Sequence, residues 1–338
     1  MTNPMLVEVT RGNAVESEHR GAVAVVDAAG KLVLSLGDSG KPVFPRSAIK
    51  GLQAIPLIES GAADKYQLTD AEIAIACASH NGEAEHVATA AGMLRKAGLD
   101  ETALECGPHW PLRVPALHPM IKAGVTPTAL HNNCSGKHAG FVCVSCANGN
   151  DPKGYVGQSH PTMREVTAAV AEMTGQSLHD ADCGTDGCSI PTYAIPLHAM
   201  ALGFARFGTG QGLGPQRAEA TKRIRQAVAK APFYVAGTER FDTKAMEILG
   251  ERAFIKVGAE GVYCASLPEL GFGVALKCDD GTTRAAEVMM AAVLMQYLAL
   301  SDAEHTALLP LAAPQLKNWN GIHVGEIRAA GALKAQAS

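Results

Sequence analysis

The chain has 338 residues, of which 47% are hydrophobic and 18% charged, and its formal net charge is -4. That balance excludes a disordered chain, which is too polar to bury a core. No basic run exceeds what a helix face carries, so nucleic acid and an anionic membrane surface are excluded as partners; a small soluble substrate is expected.

The opening segment, Met1 to Val9, lacks a basic region followed by a long apolar run and does not read as a secretory signal. Leu6–Thr10, Ala22–Val26 and Leu32–Leu36 predict short strands, with Ala28-Ala29-Gly30-Lys31 as a hairpin turn. A helix is predicted to start at Pro45 and run toward Ile58, weakened by Gly51 and Pro56. Thr69-Asp70-Ala71-Glu72 predicts a capped helix start, and Glu83–Lys96 a second helix stopped by Gly98. Cys106–Pro111 and Pro115–Pro119 read as loops. Helical periodicity marks Pro161–Thr174, Ile190–Phe207 and Gln216–Lys230.

After Pro232 the texture changes: Ala253–Val257, Val262–Ser266 and Gly271–Cys278 predict strands, and Ala285–Leu300 a long apolar helix. Its most apolar part, Val288–Leu300, is too short to cross a bilayer, which takes about 20 residues. The nine cysteines are an odd number spread along the chain, which fits reduced thiols in a cytoplasmic protein better than a disulfide scaffold. Strands at both ends with helices between predict an α/β fold with an antiparallel sheet. The sheet domain is discontinuous, residues 1–68 and 235–338; a mainly helical domain, 69–234, stands beside it, with the active site in the crevice.

Chemistry concentrates first at Ser47-Ala48-Ile49-Lys50. On a helix the hydroxyl and the amine share a face at i and i+3, near the positive helix end. A desolvated lysine there can act as general base for the serine. Ser79-His80-Asn81 closes an apolar run, and Lys256-Val257-Gly258 ends a predicted strand. Ser-x-x-Lys, Ser-x-Asn and Lys-x-Gly in that order form the three-part arrangement of serine β-lactamases and penicillin-binding proteins.

The stretch His131 to Phe141 is dense in reactive side chains, and Asp182 to Ser189 lies downstream. From residue chemistry alone Cys134 and Cys188, with Cys183 and His138 as further candidates, suit zinc, although the spacing matches no zinc finger. A Gly/Asn-rich loop with inert buried cysteines is the alternative. Cys143-Val144-Ser145-Cys146 has redox-motif spacing but sits in an apolar run and reads as core.

At these residues the chain resembles the L-asparaginase II family, the rhizobial-type (class 3) L-asparaginases. The resemblance is carried by Arg46–Lys50, Cys77–Glu83, His131–His138, Asp186–Ser189 and Lys256–Gly261, and it runs across essentially the whole chain. It implies a cytoplasmic, homodimeric amidohydrolase of serine β-lactamase-like fold that converts L-asparagine to L-aspartate and ammonia. It further implies two serine–lysine pairs, Ser47 with Lys50 and Ser79 with Lys256, and a zinc ion on Cys134, Lys137 and Cys188. Arg46, His80, Asn81, His138, Asp186 and Gly258 are implied around the substrate, and Cys183 leaves the ligand set. The expected chemistry is acyl transfer, with Lys50 activating Ser47. Three rival readings stay open: glutamine, a β-lactam or a peptide as substrate; attack by zinc-bound hydroxide with the serines incidental; and a non-catalytic amino-acid- or zinc-binding protein.

Overall fold

The computed structural model describes residues 2–334. Its centre is an eight-stranded sheet, and the strands that pair in it are antiparallel. The chain enters through β1 (Met5–Arg11), β2 (Ala14–Asp27) and β3 (Leu32–Leu36). It forms two small ribbons, β4 (Pro42–Val43) with β7 (Ile195–Pro196) and β5 (Cys183–Thr185) with β6 (Pro191–Tyr193). It then returns as β8 (Phe254–Gly258), β9 (Val262–Leu267), β10 (Phe272–Cys278), β11 (Gln315–Lys317) and β12 (His323–Ala329). The main order is β11-β12-β1-β2-β10-β9-β8, with β3 also on β2.

The long β2 ties the sheet together, pairing β1 through its first half and β10 through its second. Its residues Ala22–Val26 and the whole of β9 are buried, as strands covered on both faces must be. Two glycines show what covers them. A Cβ at Gly273 would lie 1.9 Å from the Ala201 carbonyl, so the helix Leu197–Thr209 rests directly on β10 there. A Cβ at Gly21, on the opposite face, would meet Met289 of the helix Thr283–Tyr297.

The segment between β3 and β8 is mainly helical. Residues Ser135 to Ser145 of the helix Ser135–Ala147 are all buried, so it is a central helix and not an amphipathic surface one. A Cβ at Gly136 would lie 2.4 Å from the Ile75 carbonyl. That glycine lets the start of the central helix press against the end of the helix Asp70–Ile75, just before Ser79. Asp70–Ile75 itself opens with the predicted box, Thr69 accepting from the Glu72 N–H and Glu72 reaching back.

Several elements differ from their sequence expectation. The helix expected over Ile190–Phe207 begins only at Leu197, because Pro191 and Pro196 favour the extended ribbons β6 and β7 before it. Pro115–Pro119, expected as loop, lies inside a helix, Val114–Lys122; Pro115 occupies its first turn, where a missing N–H costs nothing. The Ser47 helix is three short pieces, Arg46–Ile49 as a 3₁₀ turn, then Lys50–Gln53 and Ile55–Glu59. The strands β11 and β12 lie outside the strands expected from the sequence. Among the described residues no helix is long and apolar enough to cross a membrane.

Candidate active site

Ser47 sits on the single 3₁₀ turn that follows Pro45. Arg46 before it has φ 51°, a left-handed conformation that a non-glycine residue adopts only when its surroundings hold it there. The turn is pressed against the end of β8, where a Cβ on Gly258 would lie 2.6 Å from the Pro45 carbonyl and 3.0 Å from the Ala48 nitrogen. The absence of a side chain at Gly258 is therefore what lets the serine turn and the Lys256 strand share one wall. The Ser47 hydroxyl is half-buried and has no hydrogen-bond partner among the described residues.

Lys50 is 1% exposed, and its ammonium donates to the Ala78 carbonyl (2.5 Å), Ser79 Oγ (2.9 Å) and Cys134 Sγ (3.0 Å). The Ser-x-x-Lys spacing pairs Lys50 with Ser47, but in the structure Lys50 bonds to the Ser79 hydroxyl and not to that of Ser47. A buried ammonium needs all three N–H groups satisfied, and the interior end of the site supplies three acceptors while Ser47 stands at its outer edge.

Lys256 is fully buried and makes no hydrogen bond to Ser79; its Nζ donates to the Val257 carbonyl at 2.9 Å and lies 3.8 Å from Asp242 Oδ2. Burial pushes its amine down to about 7, with the charge of Lys50 acting the same way and Asp242 opposing. Asp242, which no motif marked, also accepts the Val257 N–H at 3.0 Å. Asp242→Asn can keep that hydrogen bond while removing the charge that favours Lys256 ammonium. The Lys256 pKa should then fall below its parental value, read as a shift of the acidic limb of kcat/KM to lower pH.

Ser79 and His80 are pinned through their backbones, to the Val235 and Asn133 carbonyls respectively. His80 accepts the Gly82 N–H at Nδ1, so its ring proton is on Nε2 and is donated to Ser135 Oγ at 2.9 Å. Burial holds this imidazole neutral. Asn81 is engaged by neighbours within the protein. Its amide donates to Glu83 Oε1 and the Thr238 carbonyl, and its oxygen accepts from Arg240, so it fastens the loop at Gly237.

The sulfur cluster lies beside these groups. Cys134 precedes the central helix, its N–H held by Asn132 Oδ1 at 2.8 Å. Cys188 comes from a tight loop in which Ser189 has φ 75° and the Asp186 N–H meets the Ile190 carbonyl. Both thiols are free and buried, and Lys137 Nζ, 1% exposed, donates to Cys188 at 3.1 Å. The contact with Cys188 and the charges of Lys50 and Lys137 hold Cys134 well below the usual thiol range, against burial. Two sulfurs and an amine converging in a buried cluster fit the donor chemistry of zinc, provided Lys137 gives up its proton on binding. Cys183 is exposed and contacts Gln158 instead. His138 meets the Tyr155 hydroxyl at 2.6 Å through Nδ1, and its buried Nε2 has no partner.

Arg46 and Asp186 close the outer side, joined by Nε and Nη2 contacts of 2.9 and 2.8 Å to Asp186 Oδ1. Burial raises the Asp186 carboxyl, but Arg46, Lys137 and the Gly187 N–H outweigh it and keep it ionised. A cavity of about 420 Å³ opens beside Arg46, lined also by Val43, Phe44, Gly184, Thr185 and Glu260.

The fold and site place the chain among α/β proteins with a buried serine–lysine centre beside an antiparallel sheet. The chain belongs to the L-asparaginase II family, whose family model matches residues 7–329. No curated protein matches its sequence. Similar solved structures include Mglu, at 12% identity and TM-score 0.42 over 79% of this chain and 64% of that one. A beta-lactamase from Mycobacterium bovis is similar at 16% identity and TM-score 0.36, over 78% and 88%. A mutant simvastatin synthase from Aspergillus terreus is similar at 11% and 0.38, over 77% and 86%. The chain spans under two thirds of Mglu, 64% of one of its structures and 57% of another.

Proposed function

We propose that the protein is an L-asparaginase that hydrolyses L-asparagine to L-aspartate and ammonia through an acyl-enzyme on Ser47. The observation that carries this reading is the buried Lys50 ammonium on Ser79 Oγ at 2.9 Å, on a wall shared by the open Ser47 hydroxyl and Lys256. Family membership supports the substrate.

Ser47 Oγ attacks the side-chain amide carbon, and its proton enters the Lys50–Ser79–Lys256 set. Within that set Lys256 is the amine driven toward its neutral form near pH 7. The same proton passes to the amide nitrogen, the carbon–nitrogen bond breaks and ammonia leaves. Water then cleaves the ester, releasing aspartate and restoring the serine. The backbone N–H of Ser47 and those at the end of β8 are the donors for the oxyanion. Arg46 and Asp186 carry the opposite charges that an amino acid's carboxylate and ammonium require. Cys134, Lys137 and Cys188 would hold a zinc ion, which when bound supplies a Lewis acid beside the substrate.

The test is ammonia release from asparagine and glutamine, with hydroxylamine present to trap an acyl-enzyme as the hydroxamate. Aspartyl hydroxamate is the expected product. Turnover without hydroxamate would point instead to direct attack by water, and preferred release from glutamine would reassign the substrate.

A further inference from the structure

The geometry points to a second metal site, built from residues outside the active-site motifs, in which His19, Cys278 and Asp280 bind a zinc-type divalent cation at the end of the β2–β10 ladder. Their donor atoms all lie within 4.8 Å of one another, and His19 and Cys278 are buried while Asp280 is exposed.

The ladder itself assembles the triad. In β2 and β10 the last paired residues are Gly21 and Cys278, and the Asp279 N–H on the Arg20 carbonyl carries the same register outward. One step further sets His19 opposite Asp280. Strand period places Cys278 and Asp280 on one face, and their cross-strand partners Gly21 and His19 project to the same face of the sheet. A Cβ at Gly21 would strike the Lys277 carbonyl and Met289, so its missing side chain lets β2, β10 and the helix Thr283–Tyr297 close together beside the triad. A turn closed by the Gly281 N–H on the Cys278 carbonyl fixes the Cys-x-Asp segment.

Asp280 already bridges the other two donors. One oxygen accepts from Cys278 Sγ at 3.0 Å and from the Thr282 N–H at 2.9 Å, and the other lies 2.5 Å from His19 Nδ1. His19 Nε2 is buried without a hydrogen-bond partner, so the ring is not a two-ended structural bridge. Imidazole, thiolate and carboxylate are the three ligand types zinc takes, and donors this close need only small closing movements to reach bonds of about 2.0–2.3 Å. The exposed side of Asp280 leaves a further position to water. Binding releases the Cys278 thiol proton to solvent and involves no redox step.

Metal-stripped full-length protein is titrated with Zn²⁺ and then Co²⁺, with equivalents counted by native mass spectrometry and cobalt–thiolate absorption recorded. Asp280→Ala changes an exposed side chain and should fold; it is expected to weaken one equivalent by on the order of 100-fold or more. His19→Gln and Cys278→Ser are expected to lose the same equivalent, and Cys278→Ser its share of the thiolate band. This difference reads the same whether or not Cys134, Lys137 and Cys188 hold another ion, and it needs no activity assay. Equal metal counts and affinities in the parent and in folded Asp280→Ala would overturn the proposal.

Discussion

Ser47→Ala is expected to lower kcat on asparagine by at least about 100-fold and to abolish hydroxamate formation, while the protein still binds asparagine. The serine occupies a turn whose backbone is held by Pro45 and Gly258, so a methyl in place of its hydroxymethyl leaves the turn as it is. Its hydroxyl bonds to nothing among the described residues, so no structural hydrogen bond is lost and the missing rate reports chemistry alone. Ser79→Ala supplies the contrast. It removes an acceptor of the Lys50 ammonium and so disturbs the lysine as well as the proton path. The two variants separate in a hydroxylamine trap: Ser79→Ala should still form hydroxamate, slowly, and Ser47→Ala none. Hydroxamate from Ser47→Ala would move the nucleophile to Ser79.

Much of this arrangement is legible in the sequence. Strand period and the turn at Ala28–Lys31 marked β2 and β3, and the capping pattern at Thr69 marked its helix, because such signals are local. The antiparallel sheet assembled from both ends of the chain followed from where the apolar runs lie. The partner of Lys50 was not legible, because a long flexible side chain goes to whichever buried acceptors satisfy it, and those come from residues 78, 79 and 134. Spacing alone could not join Cys134 to Cys188 either, since their meeting depends on a loop with a strained residue at Ser189. Asp242 sits on a helix with no motif, and only burial against β8 gives it significance. Pro115–Pro119 is helical for a different reason: Pro115 falls in the first turn, where proline is tolerated, and the helix runs on through Pro119.

Lys256→Met is expected to change two pH dependences at once, in opposite senses for the enzyme. For activity, the amine works as a base only when neutral, so kcat/KM should rise with pH and level off above about 7 in the parent. The variant should lose on the order of 100- to 10,000-fold of its rate together with that limb. Glu287, raised by burial to about 7 as well, titrates in the same range. Glu287→Gln should keep the limb, which assigns it to the lysine. For stability the sign follows from proton counts. The unfolded chain holds the Lys256 proton up to its ordinary 10.5, whereas the folded chain releases it near 7. Between those values the unfolded state binds more protons, so this group makes folding more favourable as pH rises, and its burial cost is largest below 7. Methionine has no such proton. The melting temperature of the variant relative to the parent should therefore be highest below pH 7, with a difference on the order of a few kcal/mol in the underlying free energy. That advantage should shrink steadily toward pH 10. A difference independent of pH would mean that Lys256 is charged in the folded protein, and the role of proton acceptor would then pass to Lys50.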